Sequence, residues 1–447
     1  MTSEPSWVPQ PMWHRAQGVE LLGPVSGSGL TQVTCLVRRA DGQVIQLSEL
    51  LNLILVLAES AQTSAELAQR VSSAYGRELS AEGLELLIGA KLQPLGLVSG
   101  SAEGAGSSTT TRLPTADPLL ALRFRGTLLP ARLVRRIAAV LSPLFAPTVV
   151  IAALAGLVVM NVLLFVTADP VAALDQVIIR PVEFLLLFGL LTTGAVIHEL
   201  GHATACRYGG ARPGAIGVGL YLVFPAFFTN VTDSYRLGRA GRLRTDLGGL
   251  YFNVLTVLAA AIGHLATGNG LLLLVVILMQ LQMLQQLPPV IRLDGYYVLA
   301  DLAGVPDLFN RVGPVIRSLR PGAAADPRLA ELRPAARRIV TIWVVTVVPL
   351  LTFALAWTLW TLPIVIPRIV NGIAMHSQAA AAAFEQGQVA ATILSAMSIV
   401  FLALPLAGLV VVLGQLVCRL VRANTRRRQR RNSTSLPPTA QGPRRAL

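Results

Sequence analysis

The chain has 447 residues, of which 53% are hydrophobic and 13% are charged, and its mean hydropathy is +0.61. This composition is typical of a membrane protein and argues against a soluble fold for most of the chain. The net charge of +14 comes mostly from Arg beside apolar segments, whereas residues 1–100 carry nine acidic and six basic side chains, so we expect no nucleic-acid partner.

The N-terminus predicts a small soluble domain that stays in the cytosol. Its first residues, MTSEPSW, lack the positive start and apolar core of a signal peptide. Three scattered cysteines, an odd number, argue against a disulfide framework.

Residues 20–100 indicate a hairpin followed by three helices. The hairpin is VTCLVRRADGQVIQL, with Asp41-Gly42 as its turn, and each helix opens with a Ser and has an acidic residue in its first turn. This order of elements predicts a small α+β domain of winged-helix type. A Gly/Ser/Thr-rich run at 99–111 is typical of a flexible linker. The helices are expected at 48–59, 64–75 and 80–91.

The rest of the chain predicts a polytopic α-helical membrane protein. A spanning helix needs about 20 apolar residues, and six stretches qualify. The stretch at 214–231 is rich in Gly and broken by Pro225, so we expect it to be re-entrant or strand-like. The spans are expected at 137–168, from 184 into the HELGH segment, and at 248–268, 271–291, 340–367 and 389–417.

Arg side chains predict the orientation of these spans. They concentrate before the first span, in the loops after the second and fourth spans and in the tail, while only Arg180 and Arg368 occupy the opposite loops. By the positive-inside rule, both termini are expected in the cytoplasm. The expected division is a soluble domain with linker (1–110), a basic juxtamembrane segment (111–136), a membrane domain (137–420) and a basic disordered tail (421–447).

The HELGH segment predicts a metal site. His198 and His202 are four residues apart, so on a helix they project from one face, and Glu199 is placed to act as a general base on a water molecule. Ionisable residues inside a membrane segment are costly and usually functional. A polar helix end with two satisfied histidines is the structural alternative.

A catalytic zinc takes three protein ligands, so one is missing from HELGH. Asp294 in RLDGYY is the best candidate, because Gly295 permits a tight turn at a helix end; its alternative role is a helix N-cap. Asp233, whose structural role would be an ion pair with Arg236, and Cys206 are weaker candidates.

HELGH on a membrane helix, GGLYFN with Asn253, and LDGY about ninety residues later resemble the site-2 protease family of intramembrane zinc metallopeptidases. HELGHATACRYGG, FPAFFTNVTDSYRL and RLDGYYVLADLAGVPDL resemble its bacterial peptide zinc metalloprotease branch most closely. The resemblance covers about residues 135–420. It departs from the family in QLPPVIRLDG, where the family has Asn-Pro, in GGLYFN, which lacks a Pro after Gly, and in the absence of a PDZ-like insert.

The resemblance implies Zn²⁺ held by His198, His202 and Asp294, with Glu199 as general base. Asn253 could hydrogen-bond the oxyanion or substrate, or join two helices. The N-terminal domain resembles the winged-helix domains that recognise leader peptides, and a regulatory or structural cap is its alternative.

We therefore expect an integral-membrane zinc endopeptidase of a bacterial cell membrane that cuts a peptide or membrane-protein segment near the cytoplasmic side. Its expected partners are the substrate, the lipid bilayer and a transporter or adaptor protein. The alternative is a non-proteolytic zinc-binding component of a peptide maturation or export system. A membrane-anchored transcription regulator is disfavoured by the acidity of the N-terminal domain.

Overall fold

The computed structural model describes residues 13–25, 27–40, 44–59, 61, 63–100, 123–221, 224–305, 307–322 and 326–434. The chain divides into two compact units. The first comprises Met1–Thr115, Gly126–Val218 and Phe227–Pro363, and it contains the N-terminal domain and the HELGH helix. The second comprises Ala116–Arg125, Gly219–Ala226 and Ile364–Leu447.

The N-terminal domain contains the predicted hairpin. Its two strands pair antiparallel, with Thr34 opposite Ser48 and Arg38 opposite Val44, and an additional strand, Glu20–Pro24, pairs with the first of them to complete a three-stranded sheet. The predicted turn at Asp41-Gly42 and most of the predicted linker lie outside the described residues. The strands of this domain are β1 (Trp13–Arg15), β2 (Glu20–Pro24), β3 (Thr34–Arg38), β4 (Val44–Ser48) and β5 (Val98–Gly100), of which β1 pairs with β5.

The three predicted helices of this domain are confirmed as α1 (Glu49–Leu57), α2 (Ser64–Tyr75) and α3 (Ala81–Leu87). The side chains of Ser48, Thr63 and Ser80 accept N–H hydrogen bonds at the three helix starts, which satisfies donors that have no partner within the helix. The helices and sheet enclose one apolar core. The domain is thus a small α+β unit, and its assignment to the winged-helix class stays a prediction.

The described part of the juxtamembrane segment, from residue 123 onward, has regular secondary structure. It contains strand β6 (Arg123–Leu129) and the amphipathic helix α4 (Ala131–Leu141), and a 3₁₀ turn at Ser142–Phe145 then leads into α5 (Pro147–Thr167). The expected first span, 137–168, was therefore wrong at its start. Pro143 interrupts the apolar run, since proline cannot donate a backbone hydrogen bond inside a helix.

Five helices in the described part of the chain are long and apolar enough to cross a membrane, instead of the six that we expected. The helix in place of the fourth expected span has only 17 residues and ends at Gln286, because Pro288 and Pro289 follow. The five are α5, α7 (Pro181–Tyr208), α9 (Gly248–Thr267), α14 (Pro334–Glu385) and α15 (Val389–Thr434), with apolar residues in α15 over Val389–Gln415; the shorter helix is α10 (Gly270–Gln286).

Helix α15 also changes the expectation for the basic tail. The tail was expected to be disordered from residue 421, yet the helix continues to Thr434. Residues 435–447 lie outside the described residues. The remaining helices are short: α6 (Pro170–Ile179), α8 (Arg239–Asp246), α11 (Asp294–Ala303), α12 (Val312–Ser318) and α13 (Pro327–Ala330).

The Gly-rich stretch at 214–231 contains two strands, in agreement with the strand-like alternative. They are β7 (Ile216–Tyr221) and β8 (Phe224–Thr229), and with the juxtamembrane strand they form a sheet in the order β6-β7-β8. Its re-entrant character stays a prediction. The last residue of β8, Thr229, hydrogen-bonds to Glu199 of the HELGH helix.

Helices α7 and α9 cross with their backbones in contact. A Cβ atom on Gly201 would lie 2.3 Å from the carbonyl oxygen of Gly248, and a Cβ atom on Gly248 would lie 2.6 Å from that of Gly201. Small residues at a crossing let membrane helices approach closely, which is how van der Waals packing can stabilise them in lipid. The small residues Gly201 and Gly248 therefore allow the two helices to cross this closely.

The N-terminal domain is bound to the loops of the membrane domain by polar contacts. Arg38 of β3 forms an ion pair with the buried Asp233, whose other carboxylate oxygen accepts the backbone N–H of Arg212 at 2.7 Å. Main-chain hydrogen bonds join Gly29 to Gly304 over 2.9 Å and Thr31 to Glu331 over 2.8 Å. The domain is therefore a docked part of the first unit.

We predict that Asp233→Asn destabilises this docking. The substitution keeps the shape but leaves Arg38 without its buried counter-charge, at a cost of about 1–3 kcal/mol. The thermal midpoint of the purified protein in detergent should fall, whereas Glu331→Gln, at an exposed carboxylate, should leave it almost unchanged. Equal midpoints for the two variants would contradict this account of the docking.

Candidate metal centre

Helix α7 presents both HELGH histidines on one face. The Nε2 atoms of His198 and His202 lie 3.0 Å apart. The Nδ1–H of His202 donates to the backbone carbonyl of Thr245 over 2.8 Å, which leaves its Nε2 lone pair free to bind a metal. The helix period therefore aligns the imidazoles, and Thr245 selects the tautomer of one of them.

Asp294 completes a group of three. Its carboxylate oxygens lie 3.1 Å from Nε2 of His198 and 3.5 Å from Nε2 of His202. Asp294 is the first residue of α11 and its side chain caps no helix, so the N-cap alternative is not supported. The three side chains are only 6%, 12% and 16% exposed, which shields the group from water.

The segment before Asp294 is held against its neighbours by several contacts. A Cβ atom on Gly295 would lie 1.8 Å from the carbonyl oxygen of Leu287, so a glycine is required where the chain turns back this closely on the end of α10. The indole N–H of Trp343 donates to the Pro289 carbonyl over 2.6 Å. This hydrogen bond anchors the proline-rich turn to α14. The anchored turn places Asp294 beside the histidines of α7.

The donor atoms of the group are close enough together for one zinc ion, because one atom from each residue lies within 4.8 Å of the other two. Zinc–nitrogen and zinc–oxygen bonds of about 2.0–2.2 Å at tetrahedral angles separate neighbouring ligand atoms by about 3.3 Å. The two imidazole nitrogens are 3.0 Å apart, and different oxygens of Asp294 approach them, Oδ2 at 3.1 Å from His198 and Oδ1 at 3.5 Å from His202. Because Thr245 leaves Nε2 of His202 unprotonated, that atom can accept either the Nε2–H of His198 or a cation.

Gly249 keeps the space beside the imidazoles open. A Cβ atom at this position would lie 2.4 Å from Nε2 of His198 and 2.5 Å from Nε2 of His202. No side chain larger than hydrogen fits there while the rings keep their positions. The imidazoles can therefore occupy these positions only because residue 249 of α9 is a glycine.

Glu199 lies next to the group and is oriented by β8. The hydroxyl of Thr229 donates to the Glu199 carboxylate over 2.6 Å and lies 2.9 Å from the Glu199 backbone carbonyl. The threonine thus restricts the rotation of the carboxylate. One carboxylate oxygen stays available to accept a proton.

Asn253 is one helical turn beyond Gly249 on α9, so it belongs to the face that meets the imidazoles. It is 1% exposed, and neither its amide nitrogen nor its oxygen has a hydrogen-bond partner within the part of the chain that the structure describes. A buried amide without partners is unusual. Within that part, the interhelical hydrogen bond that we considered is not formed.

The two weaker ligand candidates lie outside the group. The described residues contain one group of three metal-ligating side chains, and it consists of His198, His202 and Asp294. Cys206 is fully buried on α7 but is not among them, and Asp233 is bound to Arg38 and Arg212. Arg236, its expected ion-pair partner, also pairs with it, at 3.9 Å.

A second cluster of carboxyl groups lies beside Thr245. Burial and the negative charge of the neighbouring Asp301 together raise the pKa of Asp246 to about 8. Asp301 is paired with the guanidinium of Arg242 at 3.0 Å. The raised pKa favours the protonated form of Asp246, which limits the negative charge close to the metal group.

Three residues were not assigned to this site from the sequence: Gly249, Thr229 and Thr245. Gly249 was visible in the GGLYFN motif, but its role depends on a crossing between helices. Thr229 of β8 and Thr245 of α8 contact the site only because distant segments pack together, and a single Thr in the sequence carries no signal for that.

Comparison with known proteins gives one distant similarity. The Bacillus subtilis (strain 168) protein named "Putative peptide zinc metalloprotease protein YydH" is 30% identical over 106 residues, which is 23% of this chain and 42% of that protein. The chain thus matches less than half the length of this relative. No family model matches the chain, and no solved structure matches it.

We predict that Gly249→Ala removes the metal without unfolding the chain. The added methyl group would displace both imidazoles, and displacement of ligand side chains should lower zinc affinity by at least about tenfold. Zinc content after dialysis against a chelator measures the effect. Gly189→Ala on α7 is the control, because a Cβ atom there meets nothing within 4 Å; zinc retention by the Gly249 variant would refute the proposed role of the glycine.

Proposed function

We propose that this protein is an integral-membrane zinc endopeptidase that hydrolyses peptide bonds near the cytoplasmic side of a bacterial cell membrane. The observation that carries the proposal is the convergence of His198, His202 and Asp294 beside Glu199 at one end of an apolar helix. The distant relative named as a peptide zinc metalloprotease adds support. The distribution of Arg supports cytoplasmic termini.

The two histidines and Asp294 would hold the zinc ion. When bound, zinc would polarise the scissile carbonyl and lower the pKa of a water molecule to about 7. Glu199 would take the proton from that water and pass it to the leaving amine. Thr229 holds the Glu199 carboxylate in place for both transfers.

The number of ligands separates this proposal from its alternative. A structural zinc site closes with four protein ligands, whereas a catalytic site has three and leaves one position for water or substrate. In the described residues the group has three members. This favours the protease over a non-proteolytic zinc-binding component of a maturation or export system.

Asn253 is proposed to bind the substrate. Its buried amide faces the same side of α9 as Gly249 and has no partner among the described residues. An N–H donor placed there could hydrogen-bond the carbonyl oxygen as negative charge develops on it. An arriving substrate would thereby satisfy the amide.

Strand β8 is proposed to align an extended substrate. It is the outer strand in the order β6-β7-β8, and its last residue hydrogen-bonds to Glu199. A peptide added to such an edge gains main-chain hydrogen bonds. A helical substrate segment would have to unwind before cleavage, because an extended backbone is needed for this pairing.

The N-terminal domain is proposed to hold the peptide substrate before cleavage. Its excess of acidic side chains and its docking on the loops around Asp233 support a role in binding, not in DNA recognition. A transporter or adaptor protein is the further proposed partner. Deletion of this domain should therefore lower cleavage of the natural peptide while the zinc site stays loaded.

We predict that Glu199→Gln abolishes cleavage and leaves zinc bound. Loss of a general base costs about 10²–10⁴-fold in rate, and an amide cannot replace it. Peptides from cells that produce the wild-type chain or the variant should be compared by mass spectrometry, together with the zinc content of each purified protein. The control is Glu183→Gln, on the same helix but paired with Arg180.

If the Glu199 variant still cleaves peptides and this cleavage requires zinc, Glu199 is not the general base. Identical peptide pools in the wild-type chain, the variant and cells without the protein would favour the non-proteolytic alternative.

We predict that Asn253→Ala slows cleavage by about 10²–10³-fold if the amide stabilises the developing oxyanion. Zinc content should not change, because Asn253 is not a ligand. Rates should be measured with a peptide identified in the preceding comparison. An unchanged rate would show that the buried amide has no part in the reaction.

A further inference from the structure

Helix α4 has an inner face fixed against the protein. Val134 and Ala138 are fully buried, and they form a core cluster with Ala203 and Ile216, against which Leu129 and Leu200 also pack. Leu200 and Ala203 belong to the HELGH helix. This packing sets the rotation of α4 about its axis, so the surface that it presents outward is fixed.

The outward surface of α4 has two flanks of different chemistry. At about 100° per residue, Leu133, Ile137 and Val140 share one flank. Leu133 is 41% exposed and Val140 is 78% exposed. The other flank carries the exposed Arg132, Arg135 and Arg136.

The three arginines form no ion pair within the described part of the chain. The helix has no acidic residue in its sequence, ARLVRRIAAVL, that could neutralise them locally. A surface with three uncompensated guanidinium groups beside an apolar strip is complementary to a partner that is both negatively charged and apolar.

The position of the helix in the chain identifies this partner. After α4, a short 3₁₀ turn at Ser142–Phe145 leads to Pro147, the first residue of an apolar helix long enough to cross a membrane. The C-terminal end of α4 therefore lies within a few residues of the membrane boundary. A bilayer surface is within reach there, and a helix with one apolar and one basic flank is typical of segments in the plane of the interface.

We propose that α4 lies in the plane of the membrane interface and binds anionic phospholipid headgroups through Arg132, Arg135 and Arg136. Leu133, Ile137 and Val140 enter the boundary of the acyl chains. This lipid-binding surface is separate from the metal group, because α4 packs against Leu200 and Ala203, which by the helical period lie on a different face of α7 from His198 and His202.

The depth of α4 can be measured with spin labels in the full-length protein. Cys418→Ser removes the exposed cysteine, while Cys35 and Cys206 are buried. Labels are then placed at Val140→Cys, on the apolar flank, or Ala139→Cys, on the basic flank, and the protein is reconstituted in vesicles that contain phosphatidylglycerol. We expect the first label to be accessible to oxygen and the second to a water-soluble nickel chelate; equal access of both labels to the nickel chelate would overturn the proposal.

Lipid selectivity is measured with spin-labelled phosphatidylglycerol and phosphatidylcholine. Because each basic residue near an anionic surface strengthens its binding roughly fivefold, the joint variant Arg132→Gln, Arg135→Gln and Arg136→Gln should lower the preference for phosphatidylglycerol at α4 by at least about fivefold. The joint change of Arg77, Lys91 and Arg320 to Gln, with the same loss of charge elsewhere, should not.

Replacement of the three α4 arginines by Lys should retain the preference, because positive charge is what the headgroups require. Unchanged selectivity in the Gln variant would refute the lipid-binding surface. Neither experiment depends on cleavage, so failure of the proposed peptidase activity and failure of this inference are distinguishable.

Discussion

The crossing of α7 and α9 is the contact on which the other features of the site depend. In lipid, helices gain little from burying apolar surface, so their association depends on close packing and polar contacts. Gly201 and Gly248 let the two backbones touch, and Gly249 leaves room for the imidazoles. The same contact places the Thr245 carbonyl against His202. One packing arrangement thus creates the space for a metal and orients a ligand.

The third ligand depends on a different kind of constraint. Asp294 follows a turn that two prolines prevent from being helical, and Trp343 and the close approach of Gly295 to Leu287 hold that turn. Helix α10, although shorter than a typical span, is followed by this turn, which brings the carboxylate to α7. A peptidase needs such rigidity, since ligand positions must match the geometry that zinc prefers.

The sequence was informative wherever one segment determines its own structure. Helix periodicity placed His198 and His202 on one face, and the capping residues Ser48 and Ser80 marked helix starts. The expected first span failed because hydropathy does not register the break at Pro143. Thr229 and Gly249 were missed because their roles arise between segments: each is an ordinary residue until β8 or α9 is packed against the HELGH helix. The ion pair of Asp233 with Arg38 has the same origin.

X-ray absorption at the zinc edge of the purified full-length protein tests the central claim most directly. With His198, His202 and Asp294 as ligands, the spectrum should show four light-atom ligands at about 2.0–2.1 Å, with the scattering signature of two imidazoles. His202→Ala should reduce that signature to one imidazole or remove the zinc. Bound zinc with sulfur in its first coordination sphere, or with an unchanged spectrum in the His202 variant, would contradict the account.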